Sequence, residues 1–257
     1  MKTLEHSHCV IIPSFNSGDL LKKTVLEALQ NWESVIVVDD GSTDSSFDGL
    51  KVCQESNQGL IILRHDTNLG KGAAVITGMY HAQERRFTHA AVFDADGQHA
   101  AADLRRFMDQ SHLHPEAMVL GIPIFDAEAP ALRVNGRLVG NWWTNLETLW
   151  GGVRDSMYGF RVYPIEPSLQ IMRSIRGGRR FDFETQLGVR LYWKGIPPLN
   201  LQTPVTYKKK TQGGVTHFKY VRDNLLLVYV HTQLALIAFT MIPRLLRLRY
   251  RRALKSQ

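Results

Sequence analysis

The 257-residue sequence predicts an α/β fold in which a mostly parallel central sheet is flanked by helices. Three observations predict it. Short β-branched runs alternate with stretches of helical period through Leu120, the order that βαβ units produce. The run at 34–38, Ser-Val-Ile-Val-Val, is continuously apolar, as strands covered on both faces are. Polar, glycine-bearing clusters directly follow such runs, where ligands bind in open α/β sheets.

Residues 10–13 open the sheet. Residues 19–30 set Leu21, Val25, Leu26 and Leu29 on one helical face. Strands follow at 34–38, 60–63, 90–93 and 117–120, with helices at 71–83 and 102–110, giving five strands joined by crossovers. Residues 122–132 contain proline and acids and read as a loop beside a site or as a plain linker. Beyond them the pattern predicts a helix over 134–150 carrying Trp142, Trp143 and Trp150, a strand over 157–163 and a helix over 181–193. Residues 196–205 are extended, Lys208 to Lys210 make a basic turn, and Leu225 begins a long apolar segment. We therefore expect one α/β domain over 1–224 and an apolar helix with a basic tail over 225–257.

Composition narrows the partners. Hydrophobic residues are 44% and charged residues 21%, ordinary globular usage that excludes disordered, collagenous and disulfide-scaffold classes. Cys9 and Cys53 cannot make a four-cysteine zinc site, and residues 1–8 lack the apolar core of a signal peptide, so a reducing cytosolic setting is expected. The net charge of +7 resides in the tail: Arg244, Arg247, Arg249, Arg251, Arg252 and Lys255 fall in the last fourteen residues, leaving 25 bases against 24 acids elsewhere. A basic tail directly after an apolar run suits an anionic membrane surface, and no nucleic-acid partner is expected.

The chemistry-bearing residues follow the strands. In Asp39-Asp40-Gly41-Ser42-Thr43-Asp44 paired carboxylates can accept hydrogen bonds from ribose hydroxyls and a base N–H, or simply shape an acidic turn. In Asp94-Ala95-Asp96-Gly97-Gln98-His99 alternate carboxylates point to one side, and Gln98 adds an oxygen, a hard set suited to Mg²⁺ or Mn²⁺. A calcium hand fails, because its glycine position is His99 and its closing glutamate is Arg105. Asn68-Leu69-Gly70-Lys71-Gly72 offers backbone N–H groups and an ammonium to an anion, yet Gly72 stands where a Walker loop needs Ser or Thr. Asp155, Asp182, Glu184 and His217 are further candidates, each equally compatible with turns or solvated surface.

These pieces, in this order, resemble the family 2, GT-A type inverting glycosyltransferases, and among them the polyprenyl (dolichol) phosphate sugar transferases. The resemblance rests on Val-Ile-Ile-Pro-Ser-Phe-Asn at 10–16, Asp-Asp-Gly-Ser-Thr-Asp at 39–44, Asn-Leu-Gly-Lys-Gly at 68–72 and Asp-Ala-Asp-Gly-Gln-His at 94–99. Asp155 with Gly159-Phe160-Arg161, Phe181-Asp182-Phe183-Glu184 and Pro204-Val205-Thr206-Tyr207 continue it, so that it spans about residues 8 to 224. It implies that Pro13, Asn16 and Asp40 contact the nucleotide with Lys71 nearby, and that Asp94, Asp96 and Gln98 hold Mg²⁺ or Mn²⁺ on the diphosphate. It places Arg133 and Arg137 among the diphosphate-binding bases, and makes Asp155, then Asp182 and Glu184, the catalytic carboxylates. The implied donor is a nucleotide-diphosphate sugar and the implied acceptor a lipid. Tyr158 departs from the branch, which usually has serine there; polyprenyl phosphate is the favoured acceptor, and a hydroxyl-bearing lipid or other acceptor is the alternative.

The eighteen residues from Leu225 to Ile242 would span about 27 Å as a helix, just short of a hydrocarbon core of about 30 Å. The expectation is an interfacial helix with the chain peripheral at the cytoplasmic, inner face of the cell membrane. A nucleotidyltransferase and a non-catalytic membrane-bound scaffold are the alternative readings.

Overall fold

The computed structural model describes residues 7–125, 131–205 and 220–255; for 131–133, 220–221 and 252–255 only the backbone is described. Arg133 therefore has a place in a helix but no described side chain, and Lys208 to Lys210 and His217 lie outside the described residues. The strands are β1 (His8–Ser14), β2 (Val35–Asp39), β3 (Leu60–Arg64), β4 (His89–Val92), β5 (Met118–Phe125), β6 (Arg161–Pro164) and β7 (Pro198–Val205). They form one sheet in the order β3-β2-β1-β4-β6-β5-β7. All pairings are parallel except those of β6, which runs antiparallel to both β4 and β5.

Residues along β1 and β2 alternate between two cores. Cys9, Ile11, Ile36 and Val38 face one, and Val10, Ile12, Val35 and Val37 face the other. Helices α1 (Asp19–Asn31), α2 (Asp48–Ser56) and α4 (Leu104–Leu113) cover the second core through Leu21, Leu50 and Phe107. Helices α3 (Lys71–Glu84), α6 (Ile165–Ser174) and α7 (Phe183–Lys194) cover the first through Val75, Leu169 and Leu187. The expected layering is thus present. Because Ser14 pairs with Asp39 and Ile11 with Val92, the segments leaving β1, β2 and β4 emerge together at one sheet edge.

Several elements differ from expectation. α2 and α6 have no counterpart in the sequence reading, β5 runs on to Phe125 through the expected loop, and β6 is only four residues long. Helix α5 (Ala131–Glu147) ends three residues early, where Leu149 and Trp150 take positive φ. The apolar segment forms α8 (Tyr220–Thr240), followed by α9 (Ile242–Lys255). Residues Arg222 to Thr240 are long and apolar enough to cross a membrane, yet a third of that stretch is buried in the protein. Val230, Leu234 and Ala238 of α8 and Leu245 of α9 belong to the same core as β1 and α3.

Candidate active site

The turn after β2 is fixed by its own carboxylates. Asp39 Oδ1 accepts the Ser42 N–H at 2.8 Å, and Arg64 Nε lies 3.4 Å from Oδ2. Asp40 is buried; Oδ1 accepts the Leu69 N–H at 2.9 Å and Oδ2 the Gly70 N–H at 2.8 Å, while His65 Nδ1 lies 2.8 Å from Oδ1. Its carboxylate thus holds the 68–70 turn at the entry of α3. Gly41 takes φ +73°, and a Cβ there would stand 2.5 Å from the Thr67 carbonyl carbon, so only glycine fits. Asn16 leans on the same turn, accepting the Thr43 N–H at 2.8 Å, and Pro13 pairs with Val38 in the neighbouring strand. Pro13, Asn16 and Asp40 are therefore brought together at the ends of β1 and β2.

Lys71, at the start of α3, is the hub. Its ammonium lies 2.6 Å from Asp94 Oδ1 and 2.5 Å from Glu184 Oε1, linking the end of β4 to the first turn of α7. Burial pulls its pKa down, but the two carboxylates outweigh it and hold the amine firmly protonated. Burial likewise raises the Asp94 carboxyl, and Lys71, then His99, more than reverses that, so the acid stays below its ordinary range. His99 Nδ1 accepts the Asp94 backbone N–H at 3.2 Å, which places the ring proton on Nε2, 3.6 Å from Asp94 Oδ2. Burial, only partly opposed by Asp94, drops His99 to about 4. A Cβ on Gly159 would collide with the Asp94 carboxylate, so the glycine clears room for this cluster.

The other predicted acids are built into the backbone around them. Asp155 Oδ1 accepts the Met157 N–H at 3.0 Å, the Tyr158 N–H at 2.7 Å and Arg137 Nη1 at 2.8 Å, so the carboxylate shapes its own turn and holds the α5 arginine. Asp182 caps the loop before α7, accepting the Gly178 N–H at 2.7 Å and the Arg180 N–H at 3.1 Å. Of the three catalytic candidates, Glu184 pairs directly with Lys71, the hub of the cluster. Tyr158 is buried with its ring against Gly121, where a Cβ would stand 2.6 Å away, and 4.8 Å from the His99 ring. The tyrosine therefore fills space that its neighbouring glycine leaves.

Arg161 is the residue to which the sequence reading gave no role. Fully buried, its guanidinium donates to the carbonyls of Tyr158, Glu184 and Asp155 at 2.6, 3.0 and 3.0 Å and to Tyr163 Oη at 3.1 Å. It ties the Asp155 turn to the first turn of α7. A charge inside the apolar strand Phe-Arg-Val-Tyr was the available signal, since a buried cation demands partners.

Asp96 and Gln98 sit half-buried on the turn after Asp94, with Asp96 Oδ1 accepting the Gln98 N–H at 3.0 Å. Among the described residues no three His, Cys, Asp or Glu side chains cluster closely enough to cage a metal by themselves. The donors nevertheless fit a hard cation: the oxygens of Asp94, Asp96 and Gln98 are hard ligands, and Lys71 shows that Asp94 already draws a positive charge. A site with few protein ligands suits Mg²⁺ or Mn²⁺, which share their coordination with substrate phosphates.

Comparison with known proteins places this geometry. Residues 9–164 match the family described as Glycosyl transferase family 2. The UDP-N-acetylglucosamine–dolichyl-phosphate N-acetylglucosaminyltransferase of Methanococcus voltae is 30% identical over 190 residues, 67% of this chain and 75% of that protein. The polyprenol monophosphomannose synthase of Mycolicibacterium smegmatis is 26% identical over 221 residues, 79% and 78% of the two chains. The crystal structure of glucosyl-3-phosphoglycerate synthase from Mycobacterium tuberculosis, in complex with Mn²⁺, UDP-glucose and phosphoglyceric acid, shares the fold with a TM-score of 0.56 at 13% identity, covering 93% of this chain and 80% of that one. The expected GT-A type fold is present, and the chain belongs to glycosyltransferase family 2, as an enzyme related to the dolichyl- and polyprenyl-phosphate sugar transferases.

Proposed function

We propose that the enzyme moves a sugar, with inversion, from a nucleotide-diphosphate sugar to a polyprenyl phosphate, lying peripherally on the cytoplasmic face of the cell membrane through 225–257. The observation that carries this reading is the Lys71 bridge between Asp94 and Glu184, set beside the oxygen-bearing turn of Asp96 and Gln98. Pro13, Asn16 and the turn held by Asp40 receive the nucleotide. Asp94, Asp96 and Gln98 would hold Mg²⁺ or Mn²⁺, which neutralises diphosphate charge when bound. As the sugar leaves, negative charge grows on the diphosphate, and Lys71 with Arg137, and Arg133 on the same helix, stabilise it more in the transition state than in the ground state.

A phosphate acceptor is already a nucleophile and needs no base. Asp155 suits that case, because Oδ1 accepts two backbone N–H groups and the Arg137 guanidinium, an arrangement for holding an arginine. Asp155→Asn is therefore expected to lower turnover with polyprenyl phosphate less than tenfold, with no new pH dependence. A loss of roughly 10² to 10⁴ with a hydroxyl-bearing lipid as the only working acceptor would instead make Asp155 a general base.

Nucleoside diphosphate release from a panel of nucleotide sugars, with polyprenyl phosphate in vesicles, tests the whole reading; pyrophosphate release would identify a nucleotidyltransferase. Asp96→Ala is expected to cut metal-dependent release by roughly 10²-fold or more with the fold intact. Full activity of that variant in chelator-treated buffer would remove the metal assignment.

A further inference from the structure

Helix α5 is built inside out. On its inward face Arg137 reaches Asp155, Asn141 Oδ1 accepts the Ser156 N–H at 3.0 Å, and Thr144 and Glu147 are buried. On its outward face Leu138, Val139 and Trp142 are 62%, 61% and 54% exposed. Positions 137, 141 and 144 share one side of a helix and 138, 139 and 142 another, so the polarity expected of a water-facing helix is reversed.

Helix α8 packs beside α5 and likewise exposes apolar side chains, Val228, Tyr229, Leu236 and Phe239. The two helices are fastened by a buried polar link: Glu147, fully enclosed, meets His231 Nδ1 at 2.7 Å, and the Trp143 ring stacks over that histidine. Beyond it α9 exposes Arg244, Arg247 and Arg251 and carries no acid.

We propose that the α5–α8 face is the surface by which the enzyme lies on an anionic lipid monolayer, with Trp142, Leu138 and Val139 inserted among the acyl chains. The inference deepens the lipid-acceptor reading and rests on it. Anionic lipid satisfies both halves of the surface, the apolar face and the arginines of α9, whereas a second copy would add another acid-free α9 to the assembly. Arg137 and Trp142 lie on different sides of one helix, so a phosphate headgroup reaches the site from the membrane across about 10 Å, the width of a helix.

The test uses the full chain with vesicles of phosphatidylglycerol and phosphatidylcholine, with and without brominated acyl chains. Bromination is expected to quench tryptophan emission, and Trp142→Phe to lose most of the quenched component. Leu138→Asp with Val139→Asp is expected to weaken vesicle sedimentation at least tenfold while nucleoside diphosphate binding is unchanged. Emission from Trp142 indifferent to bromination in vesicle-bound protein would overturn the proposal. So would a lipid-free dimer that the double aspartate variant dissociates. Quenching as expected without sugar transfer to polyprenyl phosphate would overturn the acceptor reading and leave the membrane face standing.

Discussion

Arg161→Met is expected to destabilise the protein by about 4 kcal/mol, an unusually large effect for one side chain. The methionine fills most of the volume, but the Asp155 and Tyr158 carbonyls lose their donor inside the core, each orphaned buried acceptor costing about 1–3 kcal/mol, and the Glu184 carbonyl is left with its bond within α7 alone. Arg161→Lys rescues little, because one ammonium on a flexible stem cannot reproduce a planar fork that spans the Asp155–Tyr158 turn, Tyr163 and α7. Urea unfolding measures both. A midpoint for Arg161→Met corresponding to less than about 1 kcal/mol of loss would mean that water or a rearranged turn satisfies those carbonyls.

Lys71→Met carries the second large effect, on both activity and stability. Without the ammonium, buried Glu184 and half-buried Asp94 are left together without a counter-charge, at a cost of about 3 kcal/mol, the low end for a buried pair. Donor turnover is expected to fall roughly 10³-fold if, as proposed, Lys71 opposes the charge that grows on the diphosphate. The stability loss depends on pH. In the native protein the Asp94 carboxyl is held below its ordinary value, so its contribution is present above that value and disappears as pH falls through the depressed one. In the variant the largest opposition to burial is gone and only His99 and Arg161 remain against it, so the carboxyl rises. The gap between native and variant is thus wide at pH 7 and narrows toward pH 4. Unfolding free energies at the two pH values check this; an equal gap at both would show that Lys71 acts through packing alone.

The parallel part of the sheet was legible because both faces are buried: residues 35–38 are apolar without interruption, and such a run has few alternatives to a central strand. Helix α2 was not, since Leu50 is its one buried residue and no stripe marks its face. Helix α6 carries Pro167 in its first turn, where proline is tolerated, although in a sequence it reads as a break. The antiparallel insertion of β6 depends on partners over forty residues away, which no local pattern encodes. At the site, Asp40, Lys71, Asp94 and Glu184 gather at the ends of the parallel strands, the edge to which polar residues directly after apolar runs point. The roles of Asp155 and Asp182 were open, because an aspartate that takes a proton and one that gathers backbone N–H groups are the same residue. The neighbouring peptides decide between them, and their direction is a property of the fold.

Gly121 and Tyr158 divide one volume between them: the ring occupies the room where a side chain at 121 would begin. The two positions therefore behave as a single locus. A serine at 158 alone leaves a void beside His99, and a larger residue at 121 alone has nowhere to go, so a lineage crossing from one arrangement to the other passes through a damaged intermediate. Changing either position alone therefore costs packing that only a matching change at the other restores.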